Sequence, residues 1–295
     1  MRCTALTAIL ILAANLAIGE EKPPFPVKWE LTEGIEAPES AYFHSDSGVV
    51  FLSQIGKGGG KKKDGDGWIS KLTPEGKMIK NRWVTGLNAP KGIRSHGGTL
   101  WVADIDTIVG IDIKSGKIID RKVIDGAKFL NDVACGDDGA VYVADMVASR
   151  IYRYKNKKLS VFADGDDFES PNGLLVDGNR LLIGAWGLEI QDDFSTKKLG
   201  HLIAIDLKTK KRTLITKQPL GNLDGVELDG KGGYLVTDWM AGKVFHISAG
   251  GVAKIIIQHK PGTADLGYIV AKRLLILPRM LENKVTAYDL SSLKP

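Results

Sequence analysis

Three stretches, Thr99-Leu100-Trp101-Val102-Ala103-Asp104, Ala140-Val141-Tyr142-Val143-Ala144-Asp145 and Gly233-Tyr234-Leu235-Val236-Thr237-Asp238, decide how this chain folds. Each is a short apolar run with β-branched and aromatic residues, entered from a Gly-containing turn and ending on Asp, which is the signature of a buried strand. Their mutual likeness points to an internal repeat. Working outward, each repeat opens with a short phrase in which one polar residue follows a small or apolar one. The phrases are Ala37-Pro38-Glu39-Ser40, Ala89-Pro90-Lys91-Gly92, Phe129-Leu130-Asn131-Asp132, Ser170-Pro171-Asn172-Gly173, Asn222-Leu223-Asp224-Gly225 and Thr263-Ala264-Asp265-Leu266. A strand follows each phrase, then a turn and a second strand of the kind quoted above. A third strand comes next, as in Arg150-Ile151-Tyr152-Arg153-Tyr154, and a fourth, as in Leu159-Ser160-Val161-Phe162, closes the unit.

The phrases recur 40 residues apart from Lys91 to Asn131 and 41 apart from Asn131 to Asn172 and from Asp224 to Asp265, with two longer steps of 52. Four strands at such a period describe a propeller blade, and six phrases predict an all-β, six-bladed β-propeller of four-stranded antiparallel blades. The sixth repeat ends early, after Val285-Thr286-Ala287-Tyr288-Asp289-Leu290, so Val27-Lys28-Trp29-Glu30-Leu31 is expected to supply its outer strand and close the ring. Closure removes the free sheet edges that a linear array would expose.

The chain of 295 residues, 43% hydrophobic and 25% charged, can bury a core of this size. Its formal charge is +5, yet Lys and Arg are spread along it and only Lys61-Lys62-Lys63 forms a compact run. That argues against a nucleic-acid partner, which calls for a basic stripe with stacking aromatics. Residues 1–19 are expected to be a secretory signal peptide: Arg2, an apolar stretch from Cys3 to Ile18, and small residues before a cleavage after Gly19. No Cys follows the cleavage point to take a lipid, and no other segment is apolar enough to span a bilayer. The propeller domain is expected over 20–295, exported to a periplasm or to the extracellular space. Cys135 would then be the mature chain's single thiol, at a strand end, as a small buried residue.

In an up-and-down meander the first residue of strand one and the end of strand two reach the same mouth of the central channel. The polar positions of the six phrases therefore form a ring: Glu39, Lys91, Asn131, Asn172, Asp224 and Asp265. The second-strand ends Gln54, Asp104, Asp145, Ala185, Asp238 and Pro278 are expected to add to it. Carboxylates converging on a narrow channel repel one another unless a cation or a proton intervenes, and carboxylate and amide oxygens suit Ca²⁺. The two long repeats carry their extra residues after strand two, at 56–67 and 187–200, on this same face. The first insert, with Gly58-Gly59-Gly60 and Asp64-Gly65-Asp66-Gly67, is neither an EF-hand loop nor a P-loop and is expected to be flexible and solvated.

From about Glu33 to Leu290 the chain resembles the senescence marker protein, gluconolactonase and luciferin-regenerating enzyme family. Ser170-Pro171-Asn172-Gly173-Leu174, Leu223-Asp224-Gly225-Val226, Asn131-Asp132 and Glu39 carry the resemblance, in the family's order and spacing. It implies a divalent cation, Ca²⁺ first and Mg²⁺, Mn²⁺ or Zn²⁺ as alternatives, held by Glu39, Asn172 and Asp224. It further implies Asp224 as the base of a lactone or ester hydrolysis, with Asn131, Lys91, Phe129 and Asp265 at a small-molecule substrate. Where sugar-lactonase members commonly carry Arg, this chain has Phe129, an apolar wall in place of a charged donor. The alternative is a non-catalytic propeller that binds a ligand or a protein, with at most a structural metal.

Overall fold

A computed structural model of the chain describes residues 24–294; the segment expected to be the signal peptide lies outside the described residues. Six four-stranded antiparallel sheets are arranged as propeller blades. Their innermost strands are Pro38–His44, Pro90–His96, Leu130–Cys135, Pro171–Asp177, Leu223–Leu228 and Gly267–Ile269. The following strands end at Gln54, Asp104, Asp145, Ala185 and Asp238, as expected, and in the sixth blade at Arg279, one residue beyond the expected Pro278.

Apolar side chains of adjacent blades interdigitate, giving one buried cluster at each of the six junctions. Between the third and fourth blades, for example, Tyr142, Ile151 and Phe162 pack on Leu174, Leu181 and Ile183. Between the sixth and first, Ile269, Ile276 and Ala287 meet Ala41, Val50 and Leu52. The core is therefore a wheel of inter-blade layers, and the axial channel is left to polar side chains.

Val27–Leu31 pairs antiparallel with Lys284–Asp289, making the sixth sheet from both ends of the chain. Trp29 and Leu31 pack against the cluster between the sixth and first blades, and the Trp29 indole donates to the Pro74 carbonyl at 2.9 Å. The sixth and first blades also share backbone hydrogen bonds, Asp265 N to Glu39 O at 2.9 Å and Ala41 N to Asp265 O at 3.1 Å. Deleting Val27–Leu31 removes the pairing with Lys284–Asp289 and the Trp29 and Leu31 packing, and bares a sheet edge. The melting temperature is expected to fall by about 10 °C or more, which calorimetry on the shortened chain would check.

The register departs from ideal pairing at one recurring place. Between Pro38 and Ala41, Pro90 and Ile93, Leu130 and Val133, Pro171 and Gly173, and Leu223 and Val226 the inner strand carries extra residues relative to its partner. Each bulge contains the polar position of its phrase. A bulge twists a strand and re-aims its side chains, so the same distortion, made five times, turns the ring residues to the mouth. The sixth phrase is organised differently: Thr263 and Asp265 make only isolated bridges before the short strand Gly267–Ile269 begins.

Candidate functional site at the channel mouth

Glu39, Lys91, Asn131, Asn172 and Asp224 are all buried, and all but Asn172 line one cavity of about 620 Å³. Asn172 lies beside Asp224, with its Nδ2 donating to the Leu223 carbonyl at 3.3 Å. Glu39 Oε2, Asn172 Oδ1 and Asp224 Oδ1 are each buried without a hydrogen-bond partner. Buried acceptors are normally satisfied, and an orphaned one costs about 1–3 kcal/mol. Three such oxygens, on the residues that open three different blades, are left without a partner.

Charge raises the tension. Burial lifts the Glu39 carboxyl well above the usual range, and Asp224 and Asp265 lift it further, with Lys91 pulling the other way. Asp224 is raised by burial, then by Asp265 and Asp132. Lys91 is driven down to about 8 by its burial, which Glu39 and Asp104 partly offset. Its ammonium donates to the Gly60 carbonyl at 3.0 Å and the Ala89 carbonyl at 3.1 Å. That uses two of its three N–H bonds. The ring of Phe129 lies under it, 4.6 Å from ammonium to centroid.

Asp265 is not part of the cavity lining. It points down the channel, accepting a hydrogen bond from Ser40 and pairing with Arg94 at 3.4 Å. Arg94 also pairs with Glu227 at 3.2 Å, and burial holds that carboxyl up near 7 despite the guanidinium. This buried network lies three residues beyond the ring positions Lys91 and Asp224. Its only sequence signal was charge inside an inner strand. Asp132, paired with Asn131 in the sequence, accepts from the amides of Val133 at 2.6 Å and Leu174 at 2.7 Å, and so ties the third blade to the fourth.

The strand-two ends do not join the mouth ring as expected. Asp104 accepts from the amides of Asn88 and Ala89, Asp145 from Lys128 and Phe129, and Asp238 from Asn222 and Ala241. A carboxylate there satisfies amides of the loop entering its own inner strand and, for Asp238, also of the turn that follows it, a use within the blade. The first insert is largely solvated, with Lys57, Gly59 and residues 61–65 exposed, yet it also helps to build the cavity. Asp66 accepts from the amides of Lys57 and Gly58 and cinches the loop, so that Gly58, Gly59 and Gly60 become one wall of the cavity. The second insert forms a hairpin, Gly187–Ile190 with Thr196–Leu199, whose turn brings Phe194 to the cavity wall beside Phe129.

The remaining walls follow a rule that the repeat does contain. The residue just after each second strand is a large apolar one: Ile55, Ile105, Met146, Trp186, Trp239 and Met280. All but Ile105 line the cavity. Their backbones are pinned, for instance Met146 N to Phe129 O at 3.0 Å and Trp186 N to Ser170 O at 2.9 Å. Cys135 takes no part: it ends an inner strand, and burial pushes its thiol up to about 12.

Close packing holds the fourth and fifth blades together at Asn172 and Asp224. A Cβ on Gly173 would lie 1.6 Å from the Asp224 carbonyl oxygen. Gly173→Ala must push the fourth blade from the fifth, with an expected cost of about 3 kcal/mol, read as a lowered melting temperature.

Among the described residues no group of three or more His, Cys, Asp or Glu side chains is arranged to hold a metal ion. The candidate set is two carboxylates and an amide, and its orphaned acceptors fit a hard cation better than a soft one. No described helix is long and apolar enough to cross a membrane.

A scan of protein-family models and a search of curated proteins each found no match. Among solved structures the chain is similar to a gluconolactonase from Xanthomonas campestris, at 15% identity over 88% of this chain and 89% of that one, with a TM-score of 0.64. It is also similar to virginiamycin B lyase from Staphylococcus aureus, at 16% identity over 89% and 98% of the two chains, with a TM-score of 0.58. A chain of a nidogen/laminin complex matches at 15% identity over 84% and 91%, with a TM-score of 0.66. Two of these three are enzymes, and at these identities what the three share with this chain is the propeller fold.

Proposed function

We propose that this chain is an exported, divalent-cation-dependent hydrolase of lactones or related esters. The observation that carries the reading is the orphaned oxygens of Glu39, Asn172 and Asp224, two of them on residues that line a cavity of small-molecule size. Glu39, Asn172 and Asp224 would hold the cation, Ca²⁺ by the hardness of the donors. A bound divalent cation supplies positive charge that polarises a carbonyl and makes water more acidic.

The side chains do the rest. Asp224, a carboxylate made more basic by burial and its acidic neighbours, accepts a proton from the attacking water at Oδ2, the oxygen not turned to the cation. Lys91, with one N–H still to give, donates to the oxygen of the scissile carbonyl as negative charge develops there. Asn131 offers an amide to the substrate's polar end. Phe129 and the loop Gly58–Gly60 keep bulk water from the reacting carbon. The gluconolactonase of the same fold makes lactones the first compounds to try.

The test is hydrolysis of a lactone and ester panel by the purified chain, chelated and then supplied with Ca²⁺, Mg²⁺, Mn²⁺ or Zn²⁺. Turnover that needs the cation supports the reading. Rates unchanged by chelation, or no hydrolysis of any member, would overturn it. Export predicts that the secreted form begins at Glu20, which N-terminal sequencing would check.

A further inference from the structure

Away from the candidate donor set and the rim residues Lys61, Lys62 and Asp193, the cavity is lined mainly by apolar side chains, foremost Phe129, Met146, Trp186, Phe194 and Trp239. Phe129 and Phe194 meet with ring centroids 5.5 Å apart, and Trp186 and Trp239 at 6.2 Å, so the aromatic faces form two adjoining panels. The indole N–H of Trp186 is already given to the Phe194 carbonyl at 2.8 Å and is not offered to a ligand. At the rim, the Lys61 ammonium lies 4.4 Å from the Phe194 ring centroid and 5.9 Å from that of Phe129. A cationic ligand would be repelled there.

A polyol would lose water at every hydroxyl on entering such walls and recover few hydrogen bonds. An alkyl chain gains at each carbon. We propose, on the basis of the hydrolase reading above, that the substrate is a neutral lactone or ester whose substituent is an apolar chain, and that a sugar lactone is not the substrate. The carbonyl points to Glu39, Lys91 and Asp224, and the chain lies between the Phe129–Phe194 and Trp186–Trp239 panels. The second insert sets the far limit of the chain, since Phe194 stands on its turn.

The experiment measures binding apart from turnover. The full chain is titrated, with chelator and again with Ca²⁺, with γ-butyrolactone, γ-hexalactone, γ-octalactone, γ-decalactone and glucono-δ-lactone. Heat and quenching of tryptophan fluorescence are followed, and hydrolysis rates are measured in parallel. Affinity is expected to rise by up to about fourfold for each added methylene until the panels are filled, with no measurable binding of glucono-δ-lactone. Phe194→Ser, at a half-buried position on a hairpin turn, is expected to weaken γ-decalactone by about tenfold and leave γ-butyrolactone unchanged. Its unaltered melting curve would show that the fold is intact.

Equal affinity along the series, or tighter binding of glucono-δ-lactone, overturns the proposal even if hydrolysis is found. A rising series with no hydrolysis leaves the ligand class standing and overturns the hydrolase reading. An unfolded Phe194→Ser chain leaves the chain-length series to decide.

Discussion

Asp224→Asn is expected to lower kcat/KM for any hydrolysed lactone by about a thousandfold, the scale of a lost general base, while the chain stays folded. Asn keeps the size of the side chain but neither accepts the water's proton nor supplies a negative charge to a cation. Stability should move the opposite way. Glu39, Asp132, Asp224 and Asp265 are four buried carboxyls, each held above its usual range, and each of the first three is lifted in part by the negative charge of one or more of the others. Removing one charge relieves the rest, so in chelator the Asn chain should melt at the same temperature as the parent or higher. Initial rates and calorimetry on the same two preparations read both effects. Turnover retained within about tenfold would take the base away from Asp224.

The second large effect is a cation-induced rise in melting temperature. A ligand at a hundred times its Kd stabilises by about 2.7 kcal/mol, which in a domain of this size is about 5–10 °C. The sign of its pH dependence follows from the carboxyls. Because folding raises them, the folded chain holds protons that the unfolded chain has released. Their contribution to stability is fully present below the unfolded range near pH 4 and is lost as pH rises through the raised values. The chelated chain should therefore melt at progressively lower temperature toward neutral pH. Protons and a cation compete for the same oxygens, so the rise produced by Ca²⁺ should be larger at pH 8 than at pH 5. Scans at both values, with and without Ca²⁺ and repeated on Asp224→Asn, test this. An equal rise in parent and variant would place the ion elsewhere.

How far the sequence could be read depended on the range of each interaction. The strands ending at Asp104, Asp145 and Asp238 and the outer strand Val27–Leu31 were legible, because apolar alternation and repeat spacing are local properties. That Glu39, Lys91, Asn131 and Asp224 meet at one cavity was legible for the same reason, since equivalent positions of equivalent units share a face. What those residues touch was not. Asp104, Asp145 and Asp238 look like free acids in a one-letter string, and only the folded-back loop shows the amides they serve. Asp265 was assigned to the cavity with its ring-mates, but Arg94 draws it down the channel, and the two are separated by most of the chain. The apolar walls Met146, Trp186 and Trp239 did leave a trace, one step after each strand end. A search confined to polar residues passed over it.

The ring is sealed by its first strand clasping its last, with Val27 opposite Tyr288. Until the carboxyl-terminal repeat has been made, that clasp has nothing to grip, and any partial product ends in a raw β edge. Contacts of such sequence separation are slow to form. The final joining is therefore the step at which a nascent chain is most exposed to sticking to its neighbours. A chain prepared with its joint moved, its two ends linked and a new opening cut between two other blades, should keep the same wheel while changing the order in which it is assembled.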